Sequence, residues 1–336
     1  MSNKDSVYII AEAGVNHNGD IDKALKMISI AKSSGANAIK FQTAVPEEVV
    51  TSSTGKAEYQ KKNTDKLETQ LNMLQKIHLP LKDYKFLKEE CEAIGIEFLS
   101  APFDITSVNF LSEIGLNKFK IPSGEINNFP YLQLIGEKKK PVILSSGMAS
   151  LLEISKAVDI LCNSGLTKDL ITILHCNTEY PTPIKDVNLN AMLTIQKELS
   201  ISVGYSDHTL GNEVAIAAVA MGASVIEKHF TLDNSLPGPD HSMSLEPSEL
   251  SFFIKSLRDI EIALGSNKKE PSPSERKNIP IVRKSIVAKT NIKKGEVFSE
   301  ENLTTKRPGT GISPMEWKNL IGTNSQKDFN KDDLIE

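Results

Sequence analysis

The chain has 336 residues, 39% of them hydrophobic and 24% charged, and a formal net charge of −4. That length fits one large domain plus a minor one, and lysines interleaved with acids leave no basic face for nucleic acid. Three widely spaced cysteines without a CxxC pair exclude a disulfide framework, and no run after "MSNKD" has the length of a signal core or of the roughly eighteen apolar residues that span a bilayer, so a cytoplasmic protein without a membrane partner is expected.

Compact apolar runs alternate with amphipathic stretches along most of the chain. Strands are expected at 7–13, 37–43, 96–101, 117–122, 141–146, 171–176, 201–206 and 224–229, each short and apolar enough to be buried on both faces of a parallel sheet. Helical patterns fall between and after them, at 20–34, 81–94, 104–114, 129–137, 150–164, 188–199, 211–222 and 247–264. Asp20, Asp104 and Ser150 suit N-caps, and Gly35, Gly95, Gly115 and Gly165 suit C-terminal stops. Eight such repeats without a GxGxxG turn point to an α/β fold of the closed (β/α)8 barrel type rather than an open dinucleotide-binding sheet.

The stretch 44–66 is long and polar for a strand-to-helix connection, as a cover over a site would be. After the last helix, "GSNKKEPSPSERKN" has linker composition. The expected organisation is a catalytic barrel over 1–265, a linker over 266–279 and a small β-rich domain over 280–336.

Barrel enzymes place their chemistry at the C-terminal ends of the strands. Those ends here carry Glu12, Asn16 and His17; Lys40 and Gln42; Ser100; Lys120, Ser123 and Glu125; and Ser145 and Ser146. The later strands add Asn177, Thr178, Glu179 and Tyr180; Ser206, Asp207 and His208; and Glu227, Lys228 and His229. Two lysines among hydroxyls suit a substrate carrying both a phosphate and a carboxylate. His208 in "GYSDH" and His229 in "IEKHFTLD", with Asp240 in "GPDH" close behind, suit a divalent metal with positions left open for substrate.

These blocks resemble the sialic acid synthase family. The likeness runs through "IAEAGVNHNGD", "IKFQT", "FKIPSGE", "LSSGM", "LHCNTEYPTP", "GYSDH", "IEKHFTLD" and "GPDH", and on into "IKKGEVFSEENLTTKRPGTGISPMEW". It implies a TIM barrel with a C-terminal β-clip domain of the antifreeze-like (SAF) type, a domain-swapped homodimer, and a divalent metal, typically Mn²⁺ with Mg²⁺ or Co²⁺ as alternatives, on His208 and His229. It implies condensation of phosphoenolpyruvate with an N-acylated amino sugar, yielding a nine-carbon 2-keto acid and phosphate. Lys40, Lys120, Ser123, Ser145 and Ser206 would meet phosphoenolpyruvate. Gln42, Thr178, Tyr180 and Asp240 would complete the substrate set, with Arg307 reaching in from the partner subunit. Glu12, Glu125 and Glu227 match the family's active-site carboxylates.

Two departures stand out: Ala101 in "SAPF" replaces a hydroxyl residue common after the third strand, and Thr178 stands where some members have Asn. The form of "RPGTGISPMEW" favours N-acetylmannosamine as the sugar, with 2,4-diacetamido-2,4,6-trideoxymannose as the alternative and a pseudaminate-type substrate as a weaker match. Outside this chemistry stand an ice-binding surface on the tail, against which its mixed charges, Pro and Gly argue, and an aldolase using free pyruvate, which has no need of phosphate-binding lysines.

Overall fold

The structure, a computed structural model, describes residues 6–65 and 68–336. The chain divides into two compact units, Met1–Gly265 and Ser266–Glu336. The expected 1–265 domain therefore includes residues 1–5, which lie outside the described set, as does the last residue of the expected cover at 44–66.

The first unit holds eight parallel strands: β1 Tyr8–Gly14, β2 Ala38–Thr43, β3 Glu97–Pro102, β4 Phe119–Ile121, β5 Val142–Ser145, β6 Ile171–His175, β7 Ser202–Asp207 and β8 Val225–His229. They pair in the order β3-β2-β1-β8-β7-β6-β5-β4. Because β1 pairs with both β2 and β8, the sheet curls into a ring, and β3 and β4 lie side by side where it closes. The main barrel helices are α1 Ile21–Ser33, α2 Leu81–Ile94, α3 Ile105–Glu113, α4 Phe129–Glu137, α5 Leu151–Asn163, α6 Asn190–Leu199, α7 Glu213–Ala220 and α8 Pro247–Leu264.

Local chemistry sets the helix ends. Asp20 accepts from the amides of Asp22 and Lys23, Asp104 from that of Ser107, and Ser150 forms a capping box with Glu153. Gly95 ends α2 at φ +75°, a left-handed conformation that Cβ-bearing residues rarely adopt. The connection after β2 is more ordered than a loop: it holds short helices at Pro46–Val49, Glu58–Asn63 and Gln70–Ile77.

Strand alternation divides the apolar residues into two cores. Side chains facing outward, such as Ile9, Phe41, Tyr205 and Ile226, pack under the helices. Those facing inward form a plug of Ile10, Ala38, Leu99, Ile143, Leu174 and Val225, with Tyr8 against it. This plug is the floor on which the polar strand ends stand.

The second unit pairs β9, Ser285–Ala288, with β10, Leu303–Lys306, antiparallel. Isolated bridges Val287–Leu334, Ile292–Phe329 and Val297–Asn324 fold the rest of its chain around a core that includes Ile286, Ile292, Phe298, Leu303 and Phe329. The segment leading into it carries short helices at Pro273–Arg276 and Ile279–Val282. Among the described residues no helix is long and apolar enough to cross a membrane.

Candidate active site

Two residues beyond four of the six plug residues, the same inward face turns polar; beyond Leu99 and Leu174 it carries Ala101 and Cys176. Ile10 is followed by Glu12, Ala38 by Lys40 and Gln42, Ile143 by Ser145, and Val225 by Glu227 and His229. Gly204 on β7 leads in the same way to Ser206 and His208. A period of two therefore stacks one charged layer directly on an apolar one.

That layer is a chain of contacts. Lys40 Nζ lies 2.8 Å from Glu12 Oε1 and 3.7 Å from Glu227 Oε2. Lys120 Nζ lies 3.4 Å from Glu227 Oε1 and donates to Ser145 Oγ at 2.7 Å. Ser206 Oγ donates to Glu227 Oε1 at 2.8 Å, and Gln42 Nε2 donates to Glu12 Oε1 at 3.4 Å. Every charged member is at least 96% buried at its side chain, so each ion depends on its neighbours rather than on water.

The two glutamates are consequently unlike. Burial pushes the Glu12 carboxyl up, more than Lys40 beside it pulls it down, and the neighbouring Glu227 charge adds to the rise. Burial acts on Glu227 too, but Lys120 and Lys40 outweigh it and hold that carboxyl below its ordinary range. Glu12 is thus the group ready to hold a proton and Glu227 the one ready to remain an anion. Burial pushes Lys120 down, whereas Glu12 and Glu227 overcome burial and hold Lys40 up.

Above this layer stand the imidazoles, with ring centres 5.4 Å apart. His208 Nδ1 lies 2.5 Å from the Asn177 carbonyl oxygen. Since a carbonyl only accepts, Nδ1 carries the proton and Nε2 keeps its lone pair, 3.4 Å from Ser206 Oγ. Burial lowers the His208 pKa to about 4 and takes His229 well below its ordinary value, so both rings are neutral near pH 7. His229 Nδ1 is buried without a hydrogen-bond partner among the described residues, 3.8 Å from Asp240 Oδ2. Burial raises the Asp240 pKa to about 6 against the pull of Lys40. The Tyr180 ring lies 4.2 Å from that of His208 and 5.8 Å from that of His229.

Two neutral imidazoles, one with an orphaned nitrogen and a carboxylate close by, fit a divalent cation. Among the described residues no group of three or more His, Cys, Asp and Glu side chains could hold a metal ion. The remaining ligands would therefore be water or substrate oxygens.

Ser123 and Thr178 edge this region through a glycine. Ser123 Oγ accepts from the Gly147 amide at 2.9 Å, and a Cβ at position 147 would come 2.6 Å from Thr178 Cγ2. Gly147 escaped the sequence reading, although the glycine after paired serines in "LSSGM" is the signal of such a close approach. The Asn177 backbone was also missed, because a carbonyl has no sequence signature.

Several strand-end candidates lie elsewhere. Glu125 accepts from Asn128 Nδ2 at 2.6 Å and has no ion pair to the lysine chain. Asn16 donates to the Phe230 carbonyl and to Ser244, Ser146 to the Leu174 carbonyl, and Ser100 bonds to Thr43. His17 packs beside Phe41, at 5.9 Å between ring centres, and Glu179 is exposed. Asp207 and Lys228 pair with each other on the outward face, because each sits one residue out of phase with the inward set. Ala101 faces inward in phase with Leu99, so the departure noted there leaves a methyl in place of a hydroxyl. Arg307 is exposed in the second unit, where its Nε donates to the Val282 carbonyl at 3.0 Å.

Comparison with known proteins matches this arrangement to a family. The NeuB family profile matches residues 27–269, and the SAF domain profile matches residues 283–336. The chain is 52% identical to an N,N'-diacetyllegionaminic acid synthase of Campylobacter jejuni over 97% of this chain and 98% of that one. It is 47% identical to another such synthase from Legionella pneumophila, over 94% and 89% of the two chains. The crystal structure of an N-acetylneuraminic acid synthetase from Leptospira borgpetersenii in complex with citrate superposes with a TM-score of 0.72 at 37% identity, covering 83% of this chain and 94% of that one. The chain belongs to the NeuB family and is an enzyme of its phosphoenolpyruvate-dependent, carbon–carbon bond-forming type.

Proposed function

We propose that this NeuB-family chain is an N,N'-diacetyllegionaminate synthase, condensing phosphoenolpyruvate with 2,4-diacetamido-2,4,6-trideoxymannose. The observation that carries this reading is the 52% identity to such a synthase over nearly the whole of both chains, against 37% to the neuraminic acid synthetase. It reverses the preference for N-acetylmannosamine drawn from "RPGTGISPMEW": that tail motif weighs less than agreement along the whole chain.

The charged layer suits the chemistry. Lys40 and Lys120, with the hydroxyls of Ser145, Ser123 and Ser206, offer cations and donors for the phosphate and carboxylate of phosphoenolpyruvate. C3 of the enol bonds to C1 of the open-chain sugar aldehyde, leaving positive charge at C2. Glu227, held ionised, stabilises that charge. The aldehyde oxygen takes up a proton as the C3–C1 bond forms. Water adds at C2 and gives one proton to a buried carboxylate, and its second proton leaves with the phosphate as the C2–O bond breaks to give the 2-keto acid. His208 and His229 would hold a divalent cation, Mn²⁺ by family resemblance, which supplies Lewis acidity toward the aldehyde oxygen. Gln42, Tyr180 and Asp240 are assigned to the sugar side, and Thr178 lies beside Gly147 and Ser123.

Asn63, in the connection after β2, donates to the Pro239 carbonyl at 2.9 Å, next to Asp240. That tie supports a covering role for the segment. A domain-swapped homodimer with Arg307 entering the partner's site belongs to the same proposal.

Phosphoenolpyruvate labelled with ¹⁸O at the bridging oxygen tests the reaction. With the diacetamido sugar and Mn²⁺, the enzyme is expected to consume both substrates and deliver the label to inorganic phosphate. Label retained in the keto acid, or no consumption of this sugar, would overturn the proposal.

A further inference from the structure

The contacts on the outward face of β7 and β8 leave one buried ion pair that the chemistry above does not use. Asp207 and Lys228 are cross-strand partners on the last rung of the β7–β8 ladder. Lys228 Nζ donates to Asp207 Oδ2 at 2.8 Å, to the Thr209 carbonyl at 2.5 Å and to the Gly211 carbonyl at 3.2 Å. An ammonium has three protons, and these are three acceptors. Asp207 Oδ1 accepts from the Thr209 amide at 2.9 Å and from Thr209 Oγ1 at 2.7 Å. Both side chains are at least 98% buried.

These contacts converge on the two imidazoles from behind. His208 lies between Asp207 and Thr209, so both ends of the turn that carries it are fixed by the same pair. His229 follows Lys228 directly and would form the next rung with His208 beyond the end of the ladder. Asp207 and Lys228 form the last described rung between β7 and β8. Beyond it the His229 backbone is tied to Glu12 on β1 and to the Leu245 amide, and the His208 carbonyl to the Thr182 amide, so the side-chain tie from β7 to β8 next to the imidazoles is this ion pair. A buried ion pair is costly to desolvate and often adds little net stability. Three directed bonds, two of them to the loop beyond the strand, instead favour a fixed geometry.

We propose that Asp207 and Lys228 are positioning residues that set the spacing and aim of His208 and His229, and thereby the affinity of the cation they hold. The inference rests on the assignment of that cation to the two histidines. Outer contacts of this kind alter metal affinity by about 10- to 100-fold when removed from characterised sites.

Single substitutions leave a buried charge unpaired and can unfold the barrel, so the test is the double variant Asp207→Asn/Lys228→Met, which removes both charges at similar volume. Free Mn²⁺ is titrated by electron paramagnetic resonance against the full-length protein without substrates, in parallel with circular dichroism melting and with steady-state kinetics. His208→Ala serves as the reference for the cation assignment itself. The expected result is a folded double variant whose Mn²⁺ Kd is raised about tenfold or more, and whose lost rate is partly restored by high Mn²⁺. If the folded double variant binds Mn²⁺ as the unsubstituted protein does, the positioning role is overturned. If His208→Ala also leaves Mn²⁺ binding unchanged, the cation assignment fails first, which separates the two failures.

Discussion

At the scale of single residues, burial decides more than identity does. His17 and His208 both follow strand ends, yet His208 is held by an acceptor and faces its partner imidazole, whereas His17 packs against Phe41 with Nε2 buried and unpartnered among the described residues. Burial, reinforced by His78, lowers the His17 pKa from 6.5 to about 3. The folded state therefore binds fewer protons than the unfolded chain between those values, and stability is full above about pH 6.5 and falls as pH drops toward 3. At pH 5 the cost is about 2 kcal/mol. Asn at this position can keep the contact from the Gly19 amide without titrating. His17→Asn is expected to lose about 2 kcal/mol less stability than the unsubstituted protein between pH 7.5 and pH 5, measured by urea unfolding at both. An unchanged difference between the two pH values would show that His17 is solvated and titrates normally.

At the scale of elements, the strand and helix sequence was legible because alternating compact apolar runs and helical periods have few other solutions. Helices α2, α4 and α8 follow their apolar stripes to the residue, and Asp20, Asp104 and Ser150 cap as their chemistry requires. Strand β4 is shorter than its run, at Phe119–Ile121, because the chain turns at Pro122 into a short 3-10 helix. The helix at Gln70–Ile77 was not expected, since its apolar residues face a small satellite core of Val15, Met73 and Ile77 that only the tertiary fold brings together. The site was legible to the extent that the period of two was applied. Glu12, Lys40, Lys120, Ser145, Ser206, Glu227 and both histidines share the inward face, while Asp207 and Lys228, each one residue out of phase, do not. Gly204 shows the same phase from the other side: a Cβ there would meet the Val225 carbonyl oxygen at 2.3 Å, inside the ring.

At the scale of the whole molecule, the second unit matches the SAF domain profile and has its own small core. A unit of this size gains by docking on a larger surface, and the proposed swap gives Arg307 a use that its exposed position within its own unit does not. If each site combines one subunit's histidines with its partner's Arg307, mixing Arg307→Ala with His208→Ala after subunit exchange should restore about a quarter of full activity, since half the dimers are mixed and each has one intact site. No recovery after demonstrated exchange would mean that each site is built from a single chain.

The enzyme's choice of sugar is read by a single competition. The enzyme is given limiting phosphoenolpyruvate and equal concentrations of N-acetylmannosamine and 2,4-diacetamido-2,4,6-trideoxymannose, and the two nine-carbon acids are separated by mass. Their ratio equals the ratio of the two kcat/KM values. The diacetamido product is expected in more than about tenfold excess; an excess of the acid made from N-acetylmannosamine would contradict the diacetyllegionaminate assignment.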